Sequence, residues 1–236
     1  SGTVRVSGAK NSALKLIAAA LLGQGKSVLH NVPNISDIDI MIEVLESLGA
    51  SVERTGHTIA IDTANATGFE TPYELVSKMR ASISILGPLI GRFGKARVAM
   101  PGGCKIGARK IDMHLSVLEA LGANFVNDHG YLYASSPNGL HAAKVFLDFP
   151  SVGATENMLM ASVATEGTTV IDNAAREPEI VDLANMLNEM GACVQGAGTS
   201  TIVVHGVALS DMHPCEHWVV GDRIEACLLY TSPSPR

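Results

Sequence analysis

Residues Ile111 to Ser135 read IDMHLSVLEALGANFVNDHGYLYAS. From Ile111 to Leu121 the apolar residues recur at helical spacing. Gly122 follows, the residue type that best takes the left-handed turn at a helix C-terminus. Asn124 to Ser135 then alternates around Gly130, which predicts a two-stranded hairpin. The pattern occurs twice more. Ile38 to Leu48 precedes Gly49 and SVERTGHTIAI, and Ile180 to Met190 precedes Gly191 and CVQGAGTSTIVVHG. Leu48-Gly49-Ala50, Leu121-Gly122-Ala123 and Met190-Gly191-Ala192 therefore mark three copies, spaced roughly seventy residues apart.

Each copy is preceded by another helix and strand. The helices are Ser12 to Leu22, Ser82 to Phe93 and Ala154 to Thr165. Their strands are Ser27 to Asn31, Ala96 to Met100 and Thr168 to Asp172. These first helices carry almost no charge on any face, which predicts burial on all sides. The repeat unit is helix, strand, helix, strand, strand, with a further strand before it. Units this small cannot cover their own apolar faces, so the three are expected to pack around a common centre. The expected class is α/β, with buried helices and outer sheets.

Composition narrows the function. The chain has 236 residues, 47% of them hydrophobic and only 4% aromatic, so its core must be aliphatic. A net charge of −6 argues against nucleic acid as the main partner, because that needs a basic face. No apolar run is long enough to span a bilayer, so no membrane partner is expected. The cysteines Cys104, Cys193, Cys215 and Cys227 match neither a zinc pattern nor a secreted disulfide framework. A reducing cytoplasm is the expected compartment. No metal or other cofactor site is read from the sequence.

Both ends look incomplete. The chain begins at Ser1 within an expected strand, so its true N-terminus is taken to lie upstream. CLLYTSPSPR, Cys227 to Arg236, does not continue the preceding pattern and is read as a foreign tail, outside the fold.

PGGCKIGARKIDMH, residues 101–114, concentrates the chemistry. Gly102, Gly103 and Gly107 suit a mobile loop. Lys105 and Arg109 would stabilise a Cys104 thiolate, and Arg109 suits a phosphate or carboxylate. A buried, inert cysteine beside a turn is the competing reading. Lys10-Asn11 precedes an Ala/Leu helix and either holds an anion or is an exposed lysine beside an Asn cap. Arg80 leads into a buried helix and needs an anionic partner or a surface position. Ser151 is either part of a pyrophosphate cradle or a plain N-cap. Glu177 and Glu179 read best as helix-start acids. Cys193 and Cys215 read as structural, His114 is not read as a metal ligand, and nothing specific attaches to His217.

The stretch 101–114 resembles the catalytic loop of the UDP-N-acetylglucosamine enolpyruvyl transferase (1-carboxyvinyltransferase) family. SGAKNSAL at 7–14, KMRASISILGPL at 78–89, PSVGATENMLMA at 150–161 and NAAREPEIVD at 173–182 agree with that family, in its order. The likeness runs from Ser1 to about Glu225. It implies an inside-out α/β barrel of three repeated units. By that resemblance, residues 1–10 give a first strand of a second, mostly missing domain. Residues 11–220 form a nearly complete domain, 221–226 return towards the second, and 227–236 are the foreign tail. Lys10 and Asp222 would flank the crossover between domains.

The resemblance also implies the reaction. Enolpyruvate would pass from phosphoenolpyruvate to the 3-hydroxyl of UDP-N-acetylglucosamine, releasing phosphate, in the first committed step of peptidoglycan synthesis. Cys104 would be catalytic, as proton donor or covalent nucleophile, and open to alkylation by fosfomycin. Lys10, Asn11 and Arg109 would hold phosphoenolpyruvate. Arg80, Lys110, Ile111, Asp112, Met113, Phe149, Pro150, Ser151 and Val152 would line the UDP-sugar. Lys110 stands where the family commonly has proline, and Phe149 where some members have lysine. Two other readings are a non-catalytic UDP-sugar-binding regulator and the related enzyme of the shikimate pathway. This chain alone is expected to be inactive, since part of the phosphate site would lie in the other domain.

Overall fold

Helices without a polar face can only be stable at the centre, and that is where this chain puts them. The computed structural model describes residues 3–76, 80–100 (backbone alone for 80–82) and 111–232. The first repeat holds α1 (Lys10–Ala19), which runs into a 3-10 turn (Ala20–Leu22). It continues through β1 (Lys26–His30), α2 (Ser36–Ser47), β2 (Ser51–Thr55) and β3 (Thr58–Asp62). The second holds α3 (Tyr73–Val76), a 3-10 turn (Arg80–Ile85), α4 (Leu86–Phe93) and β4 (Lys95–Ala99). α5 (Asp112–Ala120), β5 (Asn124–Asp128) and β6 (Tyr131–Ser135) complete it. The third holds β7 (Lys144–Phe146), α6 (Val152–Ser162), β8 (Gly167–Asp172), α7 (Pro178–Glu189), β9 (Cys193–Gln195) and β10 (Thr201–Gly206). A 3-10 turn (Leu209–Asp211), β11 (Glu216–Trp218) and α8 (Arg223–Thr231) close the described chain.

α4 packs on α6 and α1 on α7, while α5 packs on α6 as well. Every residue of α6 from Ala154 to Ser162 is buried. The described core is aliphatic, built from Leu, Ile, Val, Ala and Met. The expected inside-out α/β arrangement is the observed one.

The repeated Gly-Ala pairs close their helices identically. Gly49, Gly122 and Gly191 have φ of 95°, 98° and 101°. The amide of each donates to the carbonyl three residues back: Glu46 at 2.9 Å, Glu119 at 2.9 Å and Asn188 at 3.1 Å. The following alanine amide donates to Leu45, Leu118 or Leu187 at 3.0–3.1 Å. These paired bonds satisfy carbonyls that a helix end otherwise leaves open, and the left-handed residue they require favours glycine.

Two elements differ from expectation. Ser82 to Phe93 is not one helix. Pro88 has no amide hydrogen, and starting α4 at Leu86 places it in the first turn, where that loss is free. Val4 to Ser7 forms no strand. The fourth strand of the first sheet comes instead from the far end of the chain. β11 runs parallel to β1, with Leu29 opposite His217, in the order β11-β1-β3-β2. The third sheet has the matching order β7-β8-β10-β9, and the second, β4-β6-β5, carries a parallel bridge from Glu70 to Arg97. With β11 on the β1 edge, the N-terminal segment meets residues 220–222. Gly8 bridges Gly221, the Ala9 amide donates to the Val220 carbonyl at 2.7 Å, and the Asp222 amide to the Ser7 carbonyl at 2.8 Å.

Residues Cys227 to Ser232, expected to stand outside the fold, continue from Ala226 as the end of α8 and its cap. The Asp222 carboxylate caps this helix, accepting from the Ile224 and Glu225 amides. No residue of α8 is buried, and Tyr230 is 91% exposed.

Candidate functional site

Cys104, Arg109 and Lys110 lie outside the described residues, as does the Arg80 side chain. The remaining expected site residues sit at the N-terminal turns of three helices.

Lys10 and Asn11 begin α1. Ala9 is the N-cap and supplies no side-chain acceptor, so Asn11 is a helix residue and not the cap. The Lys10 ammonium lies 2.5 Å from Asp37 on α2, with the two side chains 48% and 31% exposed. Asp222 and Glu225 share the hollow in front of Lys10 and Asn11. A solvated pair of this kind is worth at most about 1 kcal/mol, so Lys10 can leave Asp37 at little cost.

Ile111, Asp112 and Met113 open α5. Ile111 is the buried N-cap, Asp112 is exposed, and Met113 is half-buried. Phe149, Pro150, Ser151 and Val152 lead into α6. Phe149 is 60% exposed and presents an aromatic face beside the helix start. Ser151 is the N-cap. Its hydroxyl accepts from the Ala154 amide at a long 3.4 Å, while its carbonyl takes the Thr155 amide and hydroxyl. Glu156 takes no part in this cap.

The α5 and α6 segments are in contact. The imidazole of His114 lies over Gly153, so close that a Cβ there would meet ring atoms at 2.5 Å and 2.8 Å. Asn157 lies 2.7 Å from the same ring and 3.2 Å from the Ile83 carbonyl, on the 3-10 turn that begins with Arg80. α1 packs against that turn as well. The fold thus gathers the starts of α5 and α6 and the Arg80 turn, with α1 alongside.

Sequence reasoning missed the buried charges. Lys15 on α1 reaches Glu156 on α6 at 2.7 Å, where the side chains are 12% and 0% exposed. The contact is an ion pair, not a well-directed hydrogen bond. Burial raises the Glu156 pKa, Lys15 opposes the shift, and Glu179 and Glu177 add to it. His217, on β11, sits between Asp182 and Glu189 of α7 at 3.1 Å and 2.7 Å. Burial disfavours its charged form, but the bonds and charges of the two carboxylates outweigh this and its pKa is raised. Asp182 also accepts from the Ser12 hydroxyl at 2.5 Å and the Val220 amide at 3.2 Å, joining α1 to the segment that follows β11. The spacing of Asp182 and Glu189 on one helix face was legible; the arrival of His217 opposite them was not.

Other groups follow the sequence reading. Glu177 is the N-cap residue of α7, and Glu179 lies in its first turn, paired with Arg223 at 3.0 Å. The Cys215 thiol is pushed up to about 12 by burial and the nearby charge of Glu189, which makes it a structural, unreactive group. Among the described residues, no cluster of three or more His, Cys, Asp or Glu side chains could hold a metal. No helix described is long and apolar enough to cross a membrane.

Comparison with known proteins agrees with this architecture. The chain is 51% identical over 228 residues to UDP-N-acetylglucosamine 1-carboxyvinyltransferase 2 of Staphylococcus saprophyticus, covering 95% of this chain and 54% of that protein. It is 54% identical over 230 residues to UDP-N-acetylglucosamine 1-carboxyvinyltransferase 1 of Symbiobacterium thermophilum, covering 95% and 52%. Among solved structures, the enolpyruvyl transferase NikO from Streptomyces tendae superposes with a TM-score of 0.85 at 25% identity, covering 97% of this chain and 54% of its own. The chain spans about half the length of the curated relatives it matches. The family model for EPSP synthase (3-phosphoshikimate 1-carboxyvinyltransferase) matches residues 1–231. With three helix-centred repeats and a family match over nearly its whole length, the chain belongs to the EPSP synthase family.

Proposed function

We propose that this chain is part of an enzyme that moves the enolpyruvyl group of phosphoenolpyruvate to the 3-hydroxyl of UDP-N-acetylglucosamine and releases phosphate. The observation that carries this is identity of about half to relatives named for that transfer, over 95% of the chain. The gathering of the α5 and α6 starts with the Arg80 turn supports it. In this reading the sugar hydroxyl gives its proton to a general base of the second domain and adds to the central carbon of phosphoenolpyruvate, while Cys104 gives a proton to the methylene carbon. The adduct then loses a proton from the new methyl group to a base in the closed site and expels phosphate, restoring the double bond. Lys10, Asn11 and Arg109 hold the phosphate and carboxylate of phosphoenolpyruvate. Arg80, Lys110, Ile111, Asp112, Met113, Phe149, Pro150, Ser151 and Val152 hold the UDP-sugar.

Residues 11–220 act as one domain in this proposal, and the segments up to Lys10 and from Gly221 to Ala226 lead into a second. That second domain supplies the remaining groups around the phosphate, and closure over the sugar excludes water. The enzyme belongs to peptidoglycan synthesis in the cytoplasm, a compartment that suits the free thiols of Cys193 and Cys215. Cys104 is the point of attack for fosfomycin. The test is phosphate release from the two substrates. This chain alone is expected to release none, while the chain joined to the second half of a relative releases phosphate and loses that activity on Cys104→Ala. Turnover by the isolated chain, or undiminished turnover in the alanine variant, would overturn the proposal.

A further inference from the structure

Asn157 is fully buried, and each polar atom of its amide has a partner. Its Oδ1 lies 2.8 Å from the Gly87 amide, which can only donate. Its Nδ2 lies 3.2 Å from the Ile83 carbonyl, which can only accept. These two backbone groups decide which end of the amide is which. The second hydrogen of Nδ2 then points to His114 Nδ1, 2.7 Å away. Two hydrogens cannot share that line, so Nδ1 must offer its lone pair. His114 is therefore held neutral with its proton on Nε2.

The three groups that meet at Asn157 belong to two stretches of chain, both distant from α6 in sequence. Gly87 and Ile83 lie at the start of α4 and on the Arg80 turn, and His114 lies in the first turn of α5. Asn157 itself is on α6, one and a half turns beyond the Ser151 cap, and the His114 ring rests on Gly153 of that helix. The Gly87 amide is one of the orphan donors of the α4 N-terminus, so Asn157 also caps that helix from across the core.

We propose that Asn157 is a positioning residue: it locks His114 in the Nε2–H form and thereby fixes the α5 start, the α6 start and the Arg80 turn as one rigid surface for the UDP-sugar. The last clause rests on the function proposed above, while the tautomer does not. The role does not require Asn157 to touch substrate. It acts through His114 and through the two backbone groups it satisfies.

Nuclear magnetic resonance on the 15N-labelled chain tests the first part directly. The expected result is a scalar coupling across the hydrogen bond between Asn157 Nδ2 and His114 Nδ1, with the ring proton on Nε2. A protonated Nδ1 in the unaltered chain would overturn the proposal, whether or not any variant folds. In Asn157→Asp a carboxylate replaces the donor, so the coupling should vanish and His114 should acquire a proton on Nδ1. Titration with UDP-N-acetylglucosamine tests the second part. Asn157→Asp should bind about tenfold more weakly than the unaltered chain, the size of one lost buried hydrogen bond. Equal affinity in a variant whose tautomer has switched would overturn the positioning role. Failure of the unaltered chain to bind the UDP-sugar, with the coupling intact, would count against the proposed function and leave the tautomer lock standing.

Discussion

Two lysines of α1 make the same kind of bond in opposite surroundings. Lys10 meets Asp37 at 2.5 Å with both side chains in contact with water. Lys15 meets Glu156 at 2.7 Å, where Glu156 has no exposure at all. The distances are nearly equal, so the Coulomb attraction alone would rank them together. Desolvation separates them. A solvated pair gains little and breaks cheaply, which suits a lysine proposed to exchange a carboxylate for a phosphate. A buried pair is hard to break, because whichever partner remains is a charge without water. One end of the helix is thus available for chemistry, and the next turn is fixed in the core.

The largest effect should come from breaking the inner pair. Lys15→Met leaves Glu156 uncompensated and should cost about 3–5 kcal/mol of stability near neutral pH, measured by chemical denaturation. Adding Glu156→Leu should recover most of that loss, since two apolar side chains need no solvation. The Glu156 pKa is already raised by burial, so the charged form is the penalised one. Its contribution to stability is greatest below the ordinary carboxylate range and falls as pH rises through the raised value. The cost of Lys15→Met should therefore shrink in acid. A double variant no more stable than the single would break the comparison.

An intermediate effect is expected at His217, a group nearly buried but shared between two carboxylates. Its raised pKa means that folding favours the imidazolium. The stability it adds is full below the unfolded value of about 6.5 and is lost as pH rises through the folded value. The melting temperature of the unaltered chain should therefore fall across that window, and His217→Gln should flatten the curve. The smallest effect belongs to the outer pair. Asp37→Asn should change stability by less than about 1 kcal/mol and should weaken further in significance as salt is added. A loss comparable to that at Lys15 would show that exposure is not what separates the two lysines.

Much of the fold was legible because it is local. The helix spacing, the Gly-Ala terminators and the hairpins each involve residues close in the chain, and all three copies appear where the pattern places them. The placement of the candidate site residues was legible in part. Ile111 to Met113 stand at a helix start, as the helical spacing from Ile111 suggests, and Phe149 to Val152 lead into a helix that Ser151 caps. The Asn11 cap failed because α1 begins two residues earlier than its apolar pattern does, which makes Ala9 the cap. Lys15 escaped notice because one cation in an Ala/Leu helix reads as a solvated exception. Its partner is on another helix, and nothing in either stretch announces the pairing.

What the amino-acid order determined by itself was the kind of each element and where it stops, because those depend on hydrogen bonds and side-chain spacing within a few residues. Tertiary structure alone decided the partners. It drew β11 from the far end of the chain to complete the first sheet, set His217 between Asp182 and Glu189, and put Asn157 against Ile83, Gly87 and His114. Each of those contacts joins groups far apart in sequence, and it exists because a buried polar atom must find a partner once the apolar helices have expelled water.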